Sequence, residues 1–458
     1  MNGVRIRIFG GIEEIGGNKI HLVDKKFQSS IFLDFGKNFS IARKFFEFPF
    51  TMPESVNELI QIGSIPDIAN LYTKADPKKP RFDNEPEPPI DAVFISHAHL
   101  DHVGHATLLN RRIPIYLGDC AKKILEAYIS IIYYKRRLET FWEGLEFKPF
   151  RSGKEIEIGD MIIKPMHVDH SIPGAYGFII YTSAGVIAYT GDLRRHGPQR
   201  GMTEDFIRAL EKEDVKALIT EGTRIDFSEY LREKDVKNLV IDLVEKSKNL
   251  VLADFSRTDY DRFSTFYDVV AETGRVMVIN PKMYKIIKGI TECATIRRKV
   301  ELESDNILLL REEKKRLSEG EKEIISLVEE ERVIGIEELR KDPSRYILSV
   351  TIYGPGDLRK LHPPSGSIYI LSSSEPVDEE REITFERVMN WMEYFGISVF
   401  HIHSSGHATP IDLREIIERV DPEYVIPIHT LRPRLMKNFL GDKYKWILAS
   451  KGEEIVIN

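Results

Sequence analysis

The stretch His97-Ala98-His99-Leu100-Asp101-His102 decides the fold, and it directly follows the apolar run Ala92–Ile95. A short apolar run of this kind reads as a buried strand. In an extended segment the side-chain period is two, so His97 and His99 face the same side. Asp101 and His102 are adjacent and project differently. The segment therefore offers two ligand sets to two neighbouring cations. Neutral imidazole and carboxylate suit zinc, and also manganese where carboxylates dominate. Four ligand-type residues in six positions at the end of a buried strand point to a metal centre rather than to a loop of surface histidines.

Working outward, the same placement recurs. Asp34 in IFLDFG, Asp192 in AYTGDLRRHG, Glu221 in ALITEGT, His403 in FHIHSSGH and His429 in VIPIHTLRP all sit at or just past the end of an apolar run. Strand ends in layered α/β folds converge on one sheet edge, where ligands bind, so a shared site is expected. Around these residues, Val4–Phe9, Lys19–Val23 and Ser30–Asp34 read as strands flanking a glycine-rich loop at 10–18. Strands dominate again from Glu155 to Asp192. Helix and strand then alternate from Thr203 to Ala253, the pattern of a parallel α/β region. Residues 37–90 are aromatic, then rich in Pro, Lys and Asp, and read as a long surface excursion with a linker-like end. The charged stretch 311–341 reads as a solvated helical face. No internal repeat is visible.

Composition bounds the answer. A chain of 458 residues suggests two or three domains. At 42% hydrophobic, 10% aromatic and 30% charged it is an ordinary globular chain, neither disordered nor collagen-like. The net charge of −7 argues against a wholly basic nucleic-acid binder but leaves room for one basic cleft. Two cysteines are too few for a disulfide framework or a Cys-based zinc site, and they suit a reducing compartment. Any metal therefore falls to carboxylates and to the 13 histidines. No apolar run approaches the ~18–20 residues that span a membrane, and MNGVRIRIFGG reads as a strand rather than a signal peptide. A cytoplasmic location with no membrane partner is expected.

The hexapeptide with its companions resembles the metallo-β-lactamase superfamily. That resemblance implies one metal held by His97, His99 and His170 (in VDHSIPGAYGF), a second held by Asp101, His102 and His429, a bridging Asp192, and a supporting Asp34. His167 rivals His170; the HSIP context favours His170. Asp192 and His429 are separated by most of the second half of the chain, so a whole domain lies between them. This spacing resembles the β-CASP branch, whose members process nucleic acids. The fold implied is a four-layer αββα metallo-β-lactamase fold with an inserted α/β β-CASP domain, divided as 1–222, 223–393 and 394–458.

Within that branch the chain is similar to the ribonuclease J family at GGIEEIGGNKIHL, SIPDI (64–68), DHVG (101–104), HSIP (170–173), SSSEP (372–376) and His403-Ser404-Ser405-Gly406-His407. The resemblance implies metal-dependent hydrolysis of RNA phosphodiesters, 5′-to-3′ exonuclease action with endonuclease activity beside it, and two divalent ions, zinc or manganese. Asp101, Glu221 and His407 are its expected catalytic residues, with Glu221 orienting His407 as general acid. His403, Ser404, Ser405 and Gly406 are the expected receptor for a 5′-monophosphate; an ordinary turn is the competing reading for the serines. A histidine at 429 follows the pattern of RNA-directed members. Ser256 and Arg257 are candidate phosphate contacts or helix caps. Basic clusters at Lys78–Arg81, Lys135–Arg137, Arg194–Arg200 and Arg432–Lys437 are candidate RNA contacts, each also readable as solvated surface.

Two departures stand out. Family members continue into a C-terminal domain that supports dimerisation, so a homodimer is left open here, as are partners in an RNA-decay complex. Thr430-Leu431 replaces the usual Gly-Glu after the last histidine. A DNA nuclease of the same branch and a non-catalytic RNA-binding scaffold are the rival functions. Small-molecule hydrolases rank last because they lack the inserted domain.

Overall fold

The structure is a computed structural model. It describes every residue except 1–2, 48–49, 133–134, 227–230, 297–298, 312–316, 351–354 and 374–378, and leaves the side chains of 355–357 and 379–384 undescribed. Residues 374–376 of SSSEP therefore lie outside the described residues.

Two seven-stranded mixed sheets pack face to face. The first runs in spatial order Glu454–Ile457, Val4–Gly10, Lys19–Asp24, Ser29–Leu33, Ala92–Phe94, Ile115–Gly118 and Phe147–Phe150. The second runs Lys445–Trp446, Tyr424–Ile428, Val215–Glu221, Gly185–Tyr189, Ala175–Thr182, Met161–Val168 and Ile156–Ile158. Alternate residues of each sheet meet between them: Ile6, Leu22, Phe94, Phe178, Tyr189, Ile219 and Ile426 form one buried cluster. Burying each such side chain is worth about 1.5–3 kcal/mol. Helix Asp119–Ile131 covers the outer face of the first sheet through Cys120, Ile124 and Leu125. Helices Arg200–Leu210 and Pro410–Val420 cover the second through Phe206, Ile207, Leu413 and Ile417. The result is the expected four-layer αββα arrangement.

Strands Val215–Glu221 and Tyr424–Ile428 are parallel neighbours although some 200 residues separate them. The chain between them forms a third seven-stranded sheet, parallel throughout: Val333–Ile334, Ile307–Leu310, Val276–Ile279, Tyr346–Val350, Val251–Asp254, Ile368–Leu371 and Ser398–His401. Both faces are covered, one by Val236, Phe263, Phe266 and Ile286, the other by Leu358, Val388 and Met392. That is why Leu250–Ala253 and Val276–Ile279 are continuous apolar runs. Strand Ser398–His401 belongs to this sheet, so the chain returns to the outer sandwich only after His401.

Two readings of the sequence are corrected. Residues 37–90 are not simply a surface excursion. Leu59, Ile65, Leu71 and Ile90 are buried in the core, and Asn110 anchors the segment through the carbonyls of Asn70 and Pro86. Leu59 lies on the short helix Val56–Gln61, whose apolar face packs on the core. The two cysteines are joined. Cys120, on the helix covering the first sheet, is disulfide-bonded to Cys293, just past helix Pro281–Thr291 of the third-sheet unit. Among the described residues no helix is long and apolar enough to cross a membrane.

Candidate metal centre

The glycine-rich loop and the hexapeptide are locked together by backbone. Gly17 N and Asn18 N both donate to Asp101 O, and Lys37 N donates to Leu100 O. Gly36 passes so close that a Cβ there would lie 1.6 Å from Asp101 O, which leaves room for no other residue. The segment His97–His102 is thereby held as a turn running into the short helix Leu100–Val103. Asp34 and His429 both end strands in the left-handed region, at φ +57 and +55, which turns each side chain off its strand and into the shared edge.

All seven expected ligands converge. His97 Nε2, His99 Nδ1 and His170 Nε2 form one group, with separations of 3.0 Å (His97–His99) and 3.3 Å (His170–His99). Asp101 Oδ2, His102 Nε2 and His429 Nε2 form the other, with His429–Asp101 at 3.3 Å and His102–Asp101 at 3.8 Å. Asp192 Oδ2 lies between, 3.1 Å from His102, 3.7 Å from His97 and His429, and 3.8 Å from His170.

Four of the five ligand imidazoles are aimed by a partner on the far nitrogen. Asp34 accepts from Ser96 N, Ser96 Oγ, Tyr189 OH and His102 Nδ1. Because Ser96 Oγ gives its proton to Asp34, it accepts from His97 Nδ1 at 3.0 Å. His170 Nδ1 donates to Gly406 O at 2.6 Å. Thr223 Oγ1 donates to Glu221 Oε2 at 2.6 Å and so accepts from His429 Nδ1 at 2.8 Å. In these four rings Nδ1 is tied to its partner and Nε2 faces the centre, the nitrogen that a neutral ring presents bare to a cation. Burial keeps His97 and His170 neutral, their pKa values well below the ordinary range, and lowers that of His99 to about 4. His102 is the exception: burial disfavours its charge, yet Asp192, Asp34 and Asp101 carry its pKa well above normal. Two buried polar atoms, His102 Nε2 and Asp192 Oδ1, have no hydrogen-bond partner. Buried polar groups rarely stay unpaired. The donor set, neutral tautomers and orphaned atoms fit divalent cations.

Glu221 and His407 stand beside this group. Glu221 Oε2 is 3.1 Å from His407 Nδ1, and its other oxygen accepts from Leu193 N and Ala408 N. Burial opposes charge on His407, but Glu221 and Asp192 outweigh it and raise its pKa to about 8. His403, Ser405 and Gly406 line the same cleft as His99, Asp101, Asp192 and His429, together with Ser256 and Ser372. Ser404 is turned inward and buried. Gly406 packs against His170: a Cβ would meet its ring at 2.9 Å.

Other expectations separate here. His105 bonds to Glu139, and His196 donates to Ser405 O, both structural roles. The cap of helix Tyr260–Thr273 is Asp259, not Ser256 or Arg257. Arg194 is no surface contact for RNA. It is fully buried and bonded to Asp169, Asp261 and Ser405 O. Thr223, Ser96 and Tyr189 were not singled out from the sequence. Ser96 and Thr223 each lie within two residues of an expected site residue, whereas Tyr189 is brought in by folding alone.

Comparison with known proteins agrees with this architecture. Residues 62–234 match the family model described as a beta-lactamase superfamily domain, and 397–437 match the Zn-dependent metallo-hydrolase RNA specificity domain. The chain has the metallo-β-lactamase fold and is similar to the ribonuclease J proteins of its β-CASP branch. Ribonuclease J 1 of Streptococcus pyogenes serotype M3 is 24% identical over 353 residues, 74% of this chain and 58% of that protein. Ribonuclease J2 of Bacillus subtilis is 22% identical over 93% of this chain and 69% of that one. Ribonuclease J of Pyrococcus abyssi is 21% identical over 94% of this chain and 90% of that one. The chain thus spans less than two thirds of the Streptococcus protein. In fold it is similar to a protein of unknown function from Enterococcus faecalis V583, with a TM-score of 0.76, 24% identity, and coverage of 99% of this chain and 100% of that one.

Proposed function

We propose that this β-CASP protein is a metal-dependent ribonuclease that hydrolyses RNA phosphodiester bonds. The observation that carries the reading is the set of bare imidazole nitrogens and carboxylate oxygens facing one another around Asp192 Oδ2. On this reading His97, His99 and His170 hold one divalent ion, Asp101, His102 and His429 hold another, and Asp192 bridges them. Zinc suits the imidazole-rich set, with manganese as the alternative. When bound, such ions place positive charge on the phosphoryl oxygens and make water more acidic. The chain's own residues do the rest. His407, charged at neutral pH through Glu221 and Asp192, offers a proton to the leaving oxygen. Its Nδ1 is tied to Glu221, so the proton given is the one on Nε2. His403, Ser405 and Gly406 receive the terminal 5′-phosphate, with Ser404 supporting them from behind. A receptor for the end of a strand beside the cleavage centre favours 5′-to-3′ exonuclease action, with internal cleavage as the minor mode. The nuclease sandwich is read as two parts, up to about residue 222 and from about 402 onward, around the inserted third-sheet unit.

The test is end-labelled RNA bearing 5′-monophosphate, 5′-triphosphate or 5′-hydroxyl, beside matched single-stranded DNA, with metal content measured by elemental analysis. Mononucleotides released from 5′-monophosphate RNA, with two metals per chain, are expected. Preference for DNA would replace the substrate. Bound RNA without cleavage, and metal well below two per chain, would replace the enzyme with a scaffold.

A further inference from the structure

Two buried arginines hold the back of the loop His403–His407. Arg194, two residues after Asp192, donates to Ser405 O at 3.2 Å. Arg262, from helix Tyr260–Thr273 of the inserted unit, donates to Ser404 O at 3.3 Å. The next carbonyl, Gly406 O, accepts from His170 Nδ1. Ser404 O and Ser405 O are thus drawn away from the cleft toward buried side chains, and Gly406 O is held by the His170 ring. A trans peptide is planar, with its N–H opposite its C=O. Pulling Ser404 O and Ser405 O backward therefore aims the N–H groups of Ser405 and Gly406 forward, into the cleft that both residues line. Successive N–H groups facing one way make a receptor for an anion.

Arg262 also acts on His403. Its Nη1 lies 3.3 Å from His403 Nδ1 and donates to Ser372 O and Ser372 Oγ. A guanidinium only donates, so a protonated Nδ1 would face a cation. The same nitrogen lies 3.2 Å from Ser372 O, which only accepts, so Arg262 and Ser372 together hold the ring in place without fixing which nitrogen carries its proton. The far side of the guanidinium is fixed by Glu233, through Nη2 at 2.8 Å and Nε at 3.2 Å. Arg262 is fully buried and links the start of the inserted unit (Glu233), a strand end of the third sheet (Ser372) and the returning chain (Ser404). The loop's shape is set from the inserted unit as much as from the nuclease sandwich.

We propose that Arg262 is the positioning residue that shapes His403–Gly406 into an anion receptor and so sets the preference for a terminal 5′-phosphate. This rests on the phosphate-receptor reading of that loop. Arg262→Lys keeps the charge opposite Glu233 but lacks the fork that reaches Ser404 and His403 together. Ser372→Ala removes a single arm and is the variant to read if the lysine protein does not fold.

The experiment measures kcat/KM on 5′-monophosphate and 5′-hydroxyl RNA for the full chain, with metal content and thermal midpoint alongside. In Arg262→Lys the preference for 5′-monophosphate should fall about tenfold, through KM for that substrate, while cleavage of 5′-hydroxyl RNA and metal content stay near wild type. In Ser372→Ala it should fall severalfold. An equal loss on both substrates, or an unchanged preference in a folded variant, overturns the proposal. A wild-type chain with no preference removes the phosphate-receptor reading itself, and the proposal with it.

Discussion

The carboxylate of Asp34 lies 2.7 Å from Nδ1 of His102, at a site with no exposed surface. It aims His102 directly and His97 through Ser96, so one residue outside the ligand set governs two ligands. Asp34→Asn tests this with little backbone cost, because asparagine tolerates the left-handed φ of +57 found there. An amide offers N–H groups where the His102 ring and the Ser96 and Tyr189 hydroxyls now donate, and it removes the buried charge. Metal affinity should fall about 10–100-fold, read by competition with a chelator. Wild-type affinity would show that the rings are oriented without Asp34.

His407 and Asp192 separate binding from chemistry. His407→Ala should keep its metals, since His407 Nδ1 faces Glu221, and should lose about 10²–10⁴-fold in kcat. Asp192→Asn should lose both metal and cleavage, because Asp192 Oδ2 is the atom common to both ligand groups. Elemental analysis beside single-turnover rates distinguishes the two. Metal loss in His407→Ala would place His407 among the ligands.

Legibility followed distance along the chain. The hexapeptide His97–His102 was readable because its ligands sit within six residues at the end of an apolar strand, where period-two geometry alone implies convergence. Asp192 and His429 were readable as strand-end residues, and His170 through the resemblance carried by its HSIP context. The groups that aim these rings were not, because Tyr189 OH, Gly406 O and Thr223 Oγ1 meet their partners only when distant strands pair. Arg194 shows the opposite error: its place in a basic cluster suggested surface, while two carboxylates and a carbonyl make it a buried strut. The burial of Leu59 and Leu71 was missed because the Pro-, Lys- and Asp-rich end coloured the reading of the whole segment, although Val56, Leu59 and Ile60 stand at helical spacing.

The Cys120–Cys293 bridge joins the two-sheet sandwich to the inserted unit across 173 residues. Two cysteines alone say nothing of this, since pairing depends on which helices pack. Closing a loop of that length limits the unfolded chain by about 5 kcal/mol at most, with about 2–4 kcal/mol typical of measured bridges. Urea unfolding with and without a thiol reductant reads the difference. The wild-type midpoint should drop on reduction, and Cys293→Ser should sit at the lower midpoint with no response to reductant. Identical midpoints for all three would mean that the bridge adds nothing to stability.

His105 predicts an acid limb in the stability profile. It is fully buried, its Nε2 donates to Glu139 at 3.1 Å, and burial lowers its pKa to about 4 despite the carboxylate beside it. Its folded pKa is thus below the unfolded value of about 6.5, so the unfolded chain binds this proton more tightly. The sign follows: stability is highest above about pH 6.5 and declines as pH falls toward 4, by up to about 3 kcal/mol from this ring. His105→Gln retains an amide donor for Glu139 and removes the titration. Denaturant unfolding of the chelated protein from pH 7.5 to 4.5 should show a shallower acid decline in the variant, with the two curves diverging below pH 6.5. Parallel curves would mean that His105 accepts its proton in the folded state as readily as in the unfolded one.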